Sequence, residues 1–96
     1  MKKFIMLSSL TSKGAKTIKE KPNRIKEVNE EVEKMGGKIL SQYAILGPFD
    51  FLTIISAPDE ETVAKISLEI SQRGSTKITT YPAIEIDEFI NKIKKK

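Results

Sequence analysis

The sequence predicts an α+β fold: a ferredoxin-like βαββαβ arrangement with a four-stranded antiparallel sheet and an added C-terminal helix. Three observations carry that expectation. Apolar runs of strand length at residues 3–10, 38–46, 51–57 and 75–86 alternate with amphipathic stretches of helical period. The two middle runs are joined by a short turn, Gly47-Pro48-Phe49-Asp50, too brief for a crossover, so they pair antiparallel. The other strands are reached across helices, and two split strand-helix-strand units with right-handed crossovers interleave into one sheet with both main helices on one face. With no repeat, low-complexity tract or linker, residues 1–96 read as a single domain.

Taken in order, residues 3–10 carry Phe4, Ile5, Met6 and Leu7 without a polar break, as a strand covered on both sides does. Thr11, Ser12 and Gly14 leave the strand, and residues 15–20 supply one or two helical turns around Ile18. Pro22 opens the main helix, in which Ile25, Val28, Val32 and Met35 recur along one side. Glu27, Glu30, Glu31 and Glu33 alternate with Lys26 and Lys34 on its solvated side. Gly36-Gly37 ends that helix with a left-handed cap. Pro58 closes the third strand, and Asp59 caps a helix whose first turn holds Glu60 and Glu61 and whose buried side is Val63, Ile66 and Ile70. Gly74 terminates it. Pro82 cannot donate to a ladder, so the last strand lies at an edge or bends there. Asp87 caps a final short helix with Phe89, Ile90 and Ile93 to bury.

The turn between the middle strands sets their register. Proline holds φ at about −65°, which rules out Pro48 at the first central position of a tight primed turn. A type I turn with Pro48 at its second position, followed by Asp50 in the left-handed region as a bulge, is expected. That pairs Gly47 with Phe51, Ala44 with Ile54 and Tyr43 with Ile55. Leu40, Ala44 and Leu46 then share a face with Leu52 and Ile54, and Ile39, Tyr43 and Ile45 share the other with Phe51, Thr53 and Ile55. Both faces are largely apolar, while the helices suffice for one cover. A second copy of the chain supplies the other.

Composition excludes several chemistries. With no cysteine and no histidine, disulfides, thiolate catalysis, Cys/His zinc sites and histidine general bases are unavailable. Asp50, Asp59 and Asp87 are scattered, so neither a metal site nor a cofactor is expected. The net charge of +4 is accounted for by Lys92, Lys94, Lys95 and Lys96, a basic tail over residues 92–96, and the rest of the chain balances to about zero. That tail reads as a solubilising terminus without an aromatic platform, and nucleic acid is not an expected partner. Residues 1–10 are too short to span a membrane and lack a small-residue cleavage signal, which predicts a cytoplasmic protein. Usage rich in Lys, Glu and Ile resembles that of thermophiles.

Thr11 and Gly14, Pro22 with Arg24, Gly36-Gly37, Tyr43, Gly47 with Phe49-Asp50, Ala57-Pro58-Asp59 and Gly74 together resemble the pattern of the GYD domain family, from the first strand to about Ala83. The chain departs at the namesake position, with Phe49 where that family usually has tyrosine. The resemblance implies a ferredoxin-like subunit of the dimeric α/β barrel type, its sheets facing each other across a homodimer. It carries no assigned activity.

In the interleaved topology Thr11, Arg24 and Asp50 gather at one end of the subunit. There they form either a charged rim to a pocket beside Tyr43 and Phe51, or turn and helix contacts in which Asp50 satisfies turn amides and Arg24 pairs with it or with a helical glutamate. Tyr43, Phe51, Thr53 and Tyr81 line a cavity between two sheets or simply pack the dimer. One function that fits is a non-catalytic homodimer binding a small, partly apolar ligand or a protein partner in a regulatory role. The alternative, by fold-level analogy, is a cofactor-independent monooxygenase or isomerase acting on a small aromatic or keto compound. Asp50, Tyr43 and Tyr81 would be its acid-base groups and Arg24 its electrostatic helper.

Overall fold

The computed structural model describes residues 1–95. Its elements run β1 (Lys2–Leu10), α1 (Ser12–Glu20), α2 (Arg24–Lys34), β2 (Lys38–Ala44), β3 (Phe51–Ala57), α3 (Glu60–Ser71), β4 (Thr76–Ala83) and α4 (Ile86–Lys94). The strands form one four-stranded antiparallel sheet in the order β2-β3-β1-β4, the ferredoxin-like arrangement the sequence predicts.

Two helices, α1 and α3, begin where a side chain satisfies free amides. Thr11, extended at φ −77° and ψ 171°, accepts the Gly14 amide at 3.1 Å and so caps a full α1, longer than the one or two turns expected from residue 15. The same hydroxyl donates to the Gly74 carbonyl at 2.8 Å, tying the start of α1 to the loop before β4. Pro22 and Asn23 form a turn ahead of α2, whose helical run starts at Arg24. Asp59 accepts the Thr62 amide at 2.8 Å and the Thr62 hydroxyl at 2.6 Å, and those bonds hold its carboxyl below the usual range.

The core lies on one side of the sheet. Phe4, Met6, Ile55 and Ala57 from the strands meet Val32 of α2 and Val63, Ile66 and Ile70 of α3. Alternation places Ser8, Thr53, Phe51, Gln42, Ile39, Ile78, Thr76 and Thr80 on that same helix-facing side. The Ser67 hydroxyl of α3 shares a hydrogen bond of 3.0 Å with Thr80.

The connection between β2 and β3 differs from expectation. Among the described residues only glycines take positive φ, so Asp50 is not the left-handed residue; Gly47 is, at φ 118°. Gly47 lacks a Cβ and adopts that conformation without steric cost. Asp50 is held instead from across the sheet: its amide donates to the Ser8 carbonyl at 2.8 Å and its carboxylate accepts the Leu10 amide at 2.7 Å. The Ile45 amide donates to the Asp50 carbonyl at 2.8 Å, closing a longer loop that leaves Leu46 fully exposed. The extra residue sits further back, with a bulge at Leu40 between the pairs Ile39↔Ile55 and Ser41↔Ile54. Consequently Ala44 pairs with Phe51 and Tyr43 with Leu52.

The C-terminal helix also differs. Glu85, not Asp87, stands at the N-cap and makes no side-chain cap bond, while Asp87 and Glu88 lie in the first turn. Glu85 instead pairs with Lys3 at the start of β1. Ile86, Phe89, Ile90 and Ile93 recur at helical spacing yet remain 65%, 49%, 41% and 66% exposed, so α4 lays no apolar side on its own domain. Lys92 and Lys94 of the basic tail belong to the last turn of α4; Lys96 lies outside the described residues.

Two outcomes are expected. A Cβ on Gly14 would stand 2.0 Å from the Ser75 carbonyl oxygen, the acceptor of the Thr11 amide. Gly14→Ala should therefore destabilise the fold by about 1–3 kcal/mol or more, read as a lower urea midpoint. Across the helices, Glu31 of α2 bridges Arg73 at 2.5 Å and Arg24 at 3.2 Å. The hydrogen bond from Arg73, aided by Arg24, holds the Glu31 carboxyl below its ordinary value against the opposing effect of desolvation. A carboxylate lowered on folding stabilises fully above its unfolded range, and that contribution is lost as pH falls through the folded value. Acidification below about pH 4.5 should thus lower the Tm of the wild type more than that of Glu31→Gln, as followed by circular dichroism.

Candidate functional site

The sheet side opposite the helices forms a regular lattice. Across it run the rows Tyr43-Leu52-Leu7-Thr79 and Ser41-Ile54-Ile5-Tyr81, read in strand order. The inner strands contribute the aliphatic centre, Ile5, Leu7, Leu52 and Ile54, all half-buried and on the side away from the core under α2 and α3. Tyr43 and Tyr81 stand on the two outer strands, 58% and 49% exposed. Lys3, Lys38 and Lys77 lie at the ends of this face, so it is an apolar centre with a polar rim.

The second feature lies on the helix-facing side, under α1 and α2. A half-open cleft of about 110 Å³ is lined by Ile18, Ile25, Val28, Phe51 and Ile78, among others. An adjoining lobe of about 90 Å³ shares Leu10, Ile18, Val28, Ile70 and Thr76 with it and reaches Arg24 and Arg73. At the floor of the larger cleft, Asn29 and Gln42 exchange hydrogen bonds of 2.7 and 3.2 Å, and Gln42 also donates to Thr53 at 3.1 Å. The polar groups of this trio therefore satisfy one another.

The residues anticipated from sequence divide between these places. Tyr43 and Tyr81 share the open face, but at opposite edges. Phe51 and Thr53 belong to the other side of the sheet, in the cleft, because the Leu40 bulge and the long loop change the pairing of β2. The expected grouping of Tyr43 with Phe51 and Thr53 is thereby overturned. Thr11 and Asp50 do meet at one end, each committed to backbone groups: Thr11 to Gly14 and Gly74, Asp50 to Leu10. Arg24 pairs with Glu27 at 3.0 Å and with Glu31, and those partners raise its pKa further. Asn29, Gln42, Arg73 and Thr76 were not anticipated. Gln42 had a signal, a lone amide inside an apolar strand; the others depend on tertiary placement.

Among the described residues no helix is long and apolar enough to cross a membrane, and no group of three or more acidic side chains is placed to hold a metal ion.

Comparison with known proteins agrees with the architecture. The GYD domain model matches residues 4–93. A protein of Thermus thermophilus named glutamine synthetase and cystathionine beta-lyase binding protein is 45% identical over 95 residues, covering 98% of this chain and 100% of that one. Among solved structures, TTHA0845 from Thermus thermophilus matches 88% of this chain and 95% of its own at TM-score 0.58 and 16% identity, a likeness of fold alone. The family model covers the sheet, the helices and the hinge together, and on that ground the chain belongs to the GYD domain family.

Proposed function

We propose that the protein is a non-catalytic homodimer that acts by binding a protein partner in a regulatory role. The observation that carries this is the open sheet face, an aliphatic centre flanked by the exposed Tyr43 and Tyr81, with the helix-packed core on the opposite side among the described residues. Its first occupant is a second copy, sheet against sheet, which encloses Ile5, Leu7, Leu52 and Ile54 on both sides.

Energetics bring α4 into the same interface. Burying the exposed remainder of the aliphatic centre and the two tyrosines is worth about 4 kcal/mol per chain. Doubled for a pair, that is near the lower part of the ~4–15 kcal/mol cost of association. The stripe Ile86, Phe89, Ile90 and Ile93 adds a comparable amount, and it finds no partner on its own domain. Closing α4 on the twin subunit makes the pair favourable.

Binding of a protein partner is supported by the relative that is 45% identical and named for binding two enzymes. A catalytic role draws less support from the geometry. Asp50 is occupied by the Leu10 amide, and Tyr43 and Tyr81 stand on opposite edge strands, so the acid-base groups do not converge.

Light scattering at micromolar concentration should report a dimer. Ile54→Asp should give a monomer with unchanged far-ultraviolet circular dichroism, and removal of residues 86–96 should weaken the dimer at least tenfold. The wild type should then bind the glutamine synthetase or the cystathionine β-lyase of its own source organism in surface plasmon resonance. A monomeric wild type, or a dimer that binds neither enzyme, would count against the respective half of the proposal.

A further inference from the structure

We infer that the helix-side cleft is a binding site for a small apolar monocarboxylate, its chain among Ile18, Val28 and Phe51 and its carboxylate received by Arg73 and Thr76.

The polar demand inside the cleft is localised. Arg73 Nη1 and Thr76 Oγ1 are both buried and have no hydrogen-bond partner among the described residues. Both residues line the smaller lobe. A buried polar group left unpaired is costly, more so when charged, so a ligand that pairs these two recovers that penalty on binding. The other polar groups lining the larger cleft near α2, Asn29, Gln42 and Thr53, are engaged with one another and ask for nothing.

The two open positions also specify the ligand's chemistry. A guanidinium nitrogen only donates, and a threonine hydroxyl donates as readily as it accepts, so the group between them must be rich in acceptors. The local charge selects a monoanion. Arg73 Nη2 and Arg24 share the single carboxylate of Glu31, while Glu27, more exposed, pairs only with Arg24. Lys13 reaches the Arg73 carbonyl at 3.4 Å and adds a further cation beside the lobe. With Nη2 held by Glu31, a carboxylate offers one oxygen to Arg73 Nη1 and the other to Thr76.

Volume and lining specify the rest. The lobe at Arg73 adjoins the larger cleft of about 110 Å³ and shares Leu10, Ile18, Val28 and Ile70 with it, and the larger cleft's remaining walls are mostly carbon. An apolar cavity of about 150 Å³ is sufficient for benzene. The cleft therefore suits a short aliphatic chain or a single ring, not a steroid or a long lipid. The inference is independent of the proposed protein partner, because the walls all come from one chain.

Hexanoate titrated into the purified full-length protein by isothermal calorimetry should bind once per chain, and hexanol, of the same chain length without the charge, at least tenfold more weakly. Thr76→Val, which keeps the side-chain shape, should weaken hexanoate several-fold and leave hexanol unchanged; Arg73→Leu should abolish the preference for the acid. Val28→Trp should fill the cleft and remove both ligands. Ile54→Asp, designed to disrupt the dimer, should bind hexanoate as the wild type does, so failure at the open face and failure at the cleft are read separately. Equal affinity for hexanoate and hexanol, or no heat from hexanoate together with no amide shifts at Ile18, Val28 or Thr76 in its presence, would overturn the inference and leave the cleft to ordered water.

Discussion

A sheet with apolar residues at alternate positions on both sides has two surfaces to keep from water, and this chain carries helices over only one. β1 sets the constraint, since it is paired on both edges and its residues alternate between the sides: Phe4 and Met6 are sealed beneath helices, while Ile5 and Leu7 point away from them. β3 repeats the pattern with Ile55 and Thr53 on one side and Ile54 and Leu52 on the other. Strands of this kind are typical of sheets covered on both faces. α4 adds to the uncovered apolar area, since its stripe of Ile86, Phe89, Ile90 and Ile93 stays exposed.

On the covered side the packing is uneven, and the cleft follows from that. α3 brings Val63, Ile66 and Ile70 to the sheet and completes a dense core around Phe4 and Ile55. At the other end α1 offers Ile18, its only large apolar residue, and the strands present Ser8, Thr53, Gln42 and Thr76 where aliphatic side chains would otherwise fill space. Short polar side chains leave volume, and the amide pair Asn29-Gln42 holds α2 over β2 by directional bonds in place of packing. Arg73 and Glu31 then tie the end of α3 to α2 at the mouth. A space framed by hydrogen bonds on one side and an ion pair on another is built differently from a packing defect, which has neither.

Much of this was legible in the sequence. The strand and helix order, the cap at Asp59 and the apolar character of both sheet faces follow from local patterns that the tertiary structure reinforces. The register of β2 was not legible. Pro48 and Asp50 suggested a compact turn, but Asp50 is drawn to the backbone of β1, a contact between residues forty positions apart, and Gly47 takes the positive-φ conformation. The compensating extra residue at Leu40 leaves no mark in an apolar run, because either neighbour would serve as well on a strand with two greasy sides. One misplaced bulge then put Phe51 and Thr53 on the wrong surface and merged two separate features into one imagined cavity.

The separation of those features bears directly on how the molecule works. The open face lies on one side of β1 and β3, and the cleft on the other, with only the thickness of the sheet between them. Thr53 in the cleft floor and Leu52 and Ile54 on the open face are consecutive residues of the same strand. Alternation alone makes this division: a period of two sends successive side chains of β3 to different surfaces. A change at Ile54 therefore alters the open face and leaves the cleft walls, which come from Phe51, Thr53 and the helices, in place. Two surfaces of different chemistry thus share one thin layer without sharing a side chain.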